Sequence, residues 1–279
     1  MPPVSVEELD GLERTRGAMV DIAFRVRGDG PAIVLLHGTS ANHAVWEPVA
    51  EALAGSATVI CLDQRGHGRS DKPASGYTGK DFAGDVITVL DALGIDRAIV
   101  GGHSLGARNA WLVGAAHPER TRAVLAVDYT PYVETAVIDE LASRVAAGDR
   151  AFSTVGEIEQ YLQERYPRMP ADAVARRARW GYRRLDDGSW RPLADPAAMA
   201  QLIEGLRTPW AEEFAAVAVP MTDLRGADSR IVSEAAWNAA IAARPQDRWV
   251  VDPGSDHYVP EENPGLIITE LEHLLATTV

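Results

Sequence analysis

Short apolar runs alternate with amphipathic stretches through most of this chain, and few architectures accept that pattern. Strands are expected near residues 20–26, 32–36, 58–62, 98–102, 123–127, 221–224 and 248–251. Helical periodicity falls between them, near 45–54, 82–93, 107–116, 233–243 and 264–276. A run such as Ala32-Ile33-Val34-Leu35-Leu36 has no polar face to give to water, so its strand must be covered on both sides. The alternation therefore predicts an α/β protein with a mostly parallel sheet flanked by helices. Right-handed crossovers place the strand-to-helix loops along one edge of that sheet, where ligands bind.

The alternation stops between residues 131 and 209. That stretch carries helical patterns at 133–147, 154–165, 171–182 and 197–206 but no strand pattern. It predicts a helical cap inserted into a core made of 1–130 and 210–279. A chain of 279 residues can bury a substantial core and still carry such an insertion. The formal charge is −13, while 131–209 holds 11 Arg against 12 Asp plus Glu and no Lys. So acidic a balance argues against nucleic acid and anionic membrane surfaces as partners. The single cysteine, Cys61, excludes an intrachain disulfide and lies in the apolar run 57–62, where a buried, inert thiol is expected. No basic-then-apolar leader pattern is present, and no apolar run approaches the ~20 residues of a membrane span. A cytoplasmic location is the expectation.

Gly102-His103-Ser104-Leu105-Gly106 joins the 98–102 strand to the 107–116 helix. In a strand–turn–helix setting G-x-S-x-G reads as a nucleophile elbow; elsewhere it is an ordinary turn. Other segments fall where a serine hydrolase needs them. In Leu36-His37-Gly38-Thr39 the Thr39 N–H can face a developing oxyanion, with the N–H of Leu105 as second donor. The turn-rich Asp63-Gln64-Arg65-Gly66-His67-Gly68-Arg69-Ser70 is expected to shape the loop beside that turn, His67 included. Gly254-Ser255-Asp256-His257-Tyr258 follows the last strand, and of the seven histidines His257 is the one placed to act on Ser104 as general base. His37 and His103 read as loop-packing groups; His43, His117 and His273 lie on or beside helices. Two carboxylates can orient the base. Asp128 ends the strand before the insertion, and Asp228 lies in the turn after the strand that follows it. Both stand between Ser104 and His257 along the chain, so residue order leaves both open.

H-G-T at 37–39, D-x-R-G-H-G-x-S at 63–70, G-H-S-L-G-A at 102–107 and G-x-D-H-Y at 254–258 together resemble the α/β-hydrolase superfamily, over nearly the whole chain. The resemblance implies the α/β-hydrolase fold, a mostly parallel eight-stranded sheet flanked by helices with an inserted helical cap. It also weighs the acids. In that superfamily the acid is usually the fourth residue of a G-x-x-D turn, whereas here Gly226 opens the turn and Ser229 stands fourth. Asp228 comes one residue early, which re-aims its side chain, so Asp128 is favoured and Asp228 takes a turn-capping role. The segments 127–135, 164–174, 191–201 and 225–233 are similar to the (E)-2-(acetamidomethylene)succinate hydrolases, a family of vitamin B6 catabolism. In that family the acid comes from the strand before the cap, which again is Asp128. Arg144, Arg165 and Tyr166 match positions that bind substrate carboxylates, and Ser229 matches a serine lining the site.

The implied activity is amide cleavage of an enamide diacid to acetate, succinic semialdehyde, ammonia and carbon dioxide, with no metal or organic cofactor. From the residues themselves, the arginine fork fits a carboxylate, and the insertion has arginine as its only Lys/Arg-type cation. The expected partner is therefore a small anionic substrate, and a homodimer is compatible with the sequence. Trp180, Trp190 and Trp210 point the other way, since they could form an apolar pocket. That would suit an esterase, lactonase or C–C bond hydrolase for an aromatic substrate. A non-catalytic receptor on the same fold is the third reading.

Overall fold

The computed structural model describes residues 4–9, 11–16 and 18–278; the outermost ends of the expected core, with Asp10 and Gly17, lie outside the described residues. The chain opens with β1 (Ser5–Leu9), β2 (Leu12–Arg16), β3 (Ala23–Arg27) and β4 (Ala32–Leu36). A 3₁₀ turn (His43–Trp46) then leads into α1 (Glu47–Leu53) and β5 (Thr58–Leu62). Next come α2 (Gly79–Ala92), β6 (Ala98–His103), α3 (Leu105–Ala116) and β7 (Thr121–Val127). The stretch that breaks the alternation holds α4 (Thr135–Gly148), α5 (Val155–Arg165), α6 (Ala171–Gly181), β8 (Tyr182–Arg184), β9 (Trp190–Pro192) and α7 (Pro196–Leu206). The chain closes with α8 (Ala211–Ala215), β10 (Met221–Gly226), α9 (Glu234–Ala243), β11 (Arg248–Asp252), α10 (Val259–Glu262) and α11 (Pro264–Thr278).

Among the described residues nine strands form one sheet in the order β1-β2-β3-β5-β4-β6-β7-β10-β11. From β5 to β11 every pairing is parallel, and β1, β2 and β3 add an antiparallel edge. The sheet thus has one strand more than the eight expected. The extra hairpin, Ser5–Leu9 with Leu12–Arg16, is rich in charge and lacks the apolar run that marks the inner strands.

Every residue of β4 and β6 is buried. Ile33 and Leu35 face a layer containing Trp46, Val49 and Leu271, while Val34 and Leu36 face one containing Phe82, Val86 and Trp111. This is the two-sided burial that continuous apolar runs require. Cys61 lies inside the first layer, and burial pushes its thiol well above the ordinary value. No helix among the described residues is long and apolar enough to cross a membrane.

Between β7 and β10, α5 and α6 pack around a small core of their own, including Phe152, Ile158, Leu162 and Val174, while α4 and α7 join the main core through Ile138, Met199 and Leu202. Here the structure corrects the all-helical expectation. β8 and β9 pair antiparallel across a turn in which Gly188 adopts φ 85°, and Trp190 also bridges to Phe152. Three-residue strands are too short to show a two-residue periodicity, so the hairpin left no pattern to read.

Candidate active site

The turns after β4, β6, β7, β10 and β11 bring the expected site residues to one edge of the sheet, the carboxyl ends of its parallel strands. At the end of β6, Ser104 sits at φ 55°, ψ −116°, and α3 starts at Leu105. The flanking glycines are sterically required. A Cβ on Gly102 would lie 2.0 Å from the Gly106 carbonyl oxygen, and one on Gly106 would lie 2.1 Å from the Leu36 carbonyl oxygen. Strand β4, the elbow and α3 can therefore touch backbone to backbone only because both positions lack side chains.

Asp128, just past β7, is also left-handed at φ 53° and fully buried. Its Oδ2 accepts from His257 Nδ1 at 2.6 Å and from Ser229 Oγ at 2.6 Å, and its Oδ1 accepts from the Gly226 N–H at 3.0 Å. With Nδ1–H committed to the carboxylate, His257 Nε2 carries the free lone pair that a general base needs. His103 donates from Nε2 to the His257 carbonyl at 2.7 Å, and the two rings lie 4.6 Å apart. Burial, reinforced by His257, holds the His103 imidazole far below its ordinary pKa, so it is neutral. Among the described residues no hydrogen bond joins Ser104 Oγ to His257. Such contacts are often long in unliganded enzymes and tighten with substrate.

Asp228 is elsewhere. It is exposed and pairs with Arg168 at 2.6 Å, and its N–H bonds the Ser255 carbonyl. Ser229, expected to line the site, has its hydroxyl donating to Asp128 and accepting from the N–H groups of Ile231 and Val232, both at 3.2 Å, so it holds the Asp128 carboxylate.

Neither the Thr39 nor the Leu105 N–H donates to an acceptor among the described residues, as an oxyanion pair requires. The turn carrying Thr39 is fixed by two imidazoles. His37 donates from Nδ1 to the Gly38 carbonyl (2.7 Å) and accepts the Gln64 N–H at Nε2 (3.0 Å). His67 donates from Nδ1 to the Arg65 carbonyl (3.1 Å) and accepts the Ser40 N–H at Nε2 (3.1 Å). Burial pushes these imidazoles down to about 4 and about 3 respectively, so both are neutral. Asp63 closes the same loop, accepting from His43 Nδ1 and from the His43 and Arg69 N–H groups at 2.8 Å each.

Next to this turn lies a cavity of about 370 Å³ whose wall includes Asn42, Tyr161, Arg165, Tyr166, Arg177 and Met199. Arg165 donates to the hydroxyls of Tyr166 (3.0 Å) and Tyr161 (3.1 Å) and to the Arg144 carbonyl (2.9 Å). No carboxylate among the described residues pairs with it. Burial alone would raise the Tyr166 phenol, but Arg177, Arg165 and Arg144 bring it below its ordinary value. Arg144 itself is outside the cavity wall and acts on it through charge and its carbonyl. The tryptophans do not line the cavity. Trp180 packs edge-on against His43, Trp190 lies in the β8–β9 hairpin, and Trp210 donates to the Gly205 carbonyl. Arg177, which the sequence did not single out, lines the cavity and pairs with Glu261. Nothing in the sequence links two residues so far apart.

The family model for the α/β-hydrolase fold matches residues 31–264. The chain belongs to the α/β-hydrolase fold family. A 2-(acetamidomethylene)succinate hydrolase of Mesorhizobium japonicum is 42% identical over 256 residues, covering 92% of both chains. The crystal structure of an E-2-(acetamidomethylene)succinate hydrolase superposes with a TM-score of 0.91 at 39% identity, over 98% of this chain and all of that one. A fluoroacetate dehalogenase from a Burkholderia species is 33% identical over 143 residues, about half of each chain. With these relatives, this member of the α/β-hydrolase family is a hydrolase.

Proposed function

We propose that this hydrolase cleaves the acetyl–nitrogen bond of a small enamide dicarboxylate of the (E)-2-(acetamidomethylene)succinate type. The observation that carries the reading is Arg165, a guanidinium in the cavity wall held by two phenols and a carbonyl, with its charge unspent on any carboxylate among the described residues. A substrate carboxylate completes that set of donors. Arg144 adds a second positive charge behind it. The 42% identity to an enzyme named for that substrate supports the same choice. The aromatic-ester reading loses its basis, because the three tryptophans meant for the pocket face other parts of the protein.

In this mechanism His257 takes the Ser104 proton as the serine oxygen attacks the acetyl carbonyl. Asp128 fixes the tautomer and stabilises the imidazolium. The N–H groups of Thr39 and Leu105 hold the oxyanion. His257 then gives the proton to the leaving nitrogen, and water, deprotonated by the same histidine, releases acetate from Ser104. The freed enamine adds water and loses ammonia to give a 2-formyl diacid. This β-carbonyl acid loses carbon dioxide, leaving succinic semialdehyde.

Arg165→Met and Arg144→Met test the carboxylate site. Arg165→Met is expected to lower kcat/KM for the diacid through KM by about tenfold to a hundredfold, as for a lost hydrogen bond to a charged group, and Arg144→Met, which removes only a charge behind the wall, by a smaller factor, also through KM. Unchanged kcat/KM in both variants would remove the dicarboxylate from the proposal.

A further inference from the structure

We infer that the Arg177–Glu261 ion pair is a strap that positions His257, tying the base-bearing loop to helix α6 and so to the cavity wall. The inference rests on the triad reading above. Arg177 projects from α6, and Glu261 sits in α10, four residues after the base. The two side chains are 8% and 2% exposed. Arg177 Nε donates to Glu261 Oε1 at 2.8 Å and Nη2 donates to Oε2, so the contact is a two-point fork. The guanidinium also lies 4.8 Å from the Tyr166 ring and 5.3 Å from the Tyr258 ring. Those phenols meet edge to face at 4.7 Å, and Tyr258 in turn packs 5.1 Å from the His257 imidazole.

A buried charge pair is seldom the most stable way to fill such a space, because desolvating both ions offsets much of their attraction. What a fork supplies that two leucines do not is direction: it fixes how α10 sits against α6. The base needs that. On the core side the loop is closed by Asp252, whose carboxylate holds Ser255 Oγ, the Gly254 N–H and Asn263. Near the surface, Arg168 ties down the Gly254 carbonyl. Between them, over 257–261, the side-chain hydrogen bonds among the described residues that tie the loop to other elements are His257 to Asp128, His103 to the His257 carbonyl, and Glu261 to Arg177. Of these hydrogen-bond partners Arg177 lines the cavity, as does the Tyr166 ring it packs on, so the cavity wall and the base share a rigid link.

The test compares wild type, Glu261→Gln and the double variant Arg177→Met with Glu261→Met. Each is assayed for the rate at which a fluorophosphonate labels Ser104 and for kcat and KM on the diacid. Labelling needs the base in place but no carboxylate recognition. Glu261→Gln is expected to slow labelling and kcat together by about tenfold to a hundredfold, the scale of a small misplacement of a catalytic group, with KM little changed. The double variant keeps an apolar filling and removes the unpaired-charge penalty. It is expected to unfold near the wild-type temperature and still to label slowly. Wild-type labelling in the folded double variant overturns the inference, as does a rise in KM with kcat intact. Failure of the wild type itself to be labelled at Ser104 overturns the triad reading instead, and the strap with it.

Discussion

Ser104 and Asp128 both hold the backbone at positive φ, a region that residues other than glycine rarely adopt. Each such residue costs on the order of 1–3 kcal/mol, and it persists where the surroundings over-determine it. Around Asp128 the surroundings are Gly226, Ser229 and His257, three donors on one carboxylate. Asp128→Asn is expected to lower kcat roughly 10⁴-fold by supporting the wrong imidazole tautomer. Asp228→Asn, exposed and paired to Arg168, should leave kcat within about twofold, as surface changes usually do. The opposite ranking in steady-state kinetics would return the acid to Asp228. Ser229→Ala removes a donor to a charged group, a bond worth about 1.5–3 kcal/mol, so kcat should fall roughly ten- to a hundredfold with KM little changed. A rise in KM alone would put Ser229 back in the substrate wall. The slip of Ser229 into the usual acid slot was visible in the sequence. Its bond to Asp128 was not, because it joins residues on two different strand ends.

At the scale of elements, the turn after β4 that carries Thr39 depends on imidazoles that must stay neutral. His37 and His67 each use one nitrogen as donor and the other as acceptor, which a protonated ring cannot do. Their folded values, about 4 and about 3, lie below the ordinary 6.5. Between those limits the unfolded chain binds more protons than the native one. The stability they contribute is therefore complete above pH 6.5 and is lost as pH falls from 6.5 through about 4 for His37 and about 3 for His67, at about 1.4 kcal/mol per pH unit for each histidine within its window. Urea unfolding of His67→Asn at pH 6.5, 5.5 and 4.5 should show a slope shallower than wild type by about one proton. Equal slopes would mean that His67 is not held neutral. The turn-forming role of the segment after β5 was legible from its glycines and polar residues. The long inner strands were legible from their apolar runs. The charged β1–β2 hairpin and the three-residue strands β8 and β9 were not, since neither carries an apolar periodicity.

Across the whole molecule, the pattern of charge pairing separates one arginine from the rest. Arg168 meets Asp228, Arg177 meets Glu261 and Arg207 meets Asp139, in each case a partner more than fifty residues away. Composition shows that the stretch between β7 and β10 is arginine-rich, but only the folded chain shows that Arg165 has its charge to spare beside the cavity. The candidate nucleophile, base and acid could be singled out in the sequence because each follows a strand end. Arg144, Arg165 and Tyr166 were singled out as candidate substrate residues through resemblance, because those helices carry no motif of their own. Acetate released from purified protein by (E)-2-(acetamidomethylene)succinate, wild type beside Ser104→Ala, brings both halves together. Wild type is predicted to release acetate in step with substrate consumed, and Ser104→Ala to lose roughly a millionfold in rate, as removal of a triad nucleophile does. Acetate release that survives in Ser104→Ala, or none from a folded wild type, would contradict a serine acyl-enzyme acting on this diacid.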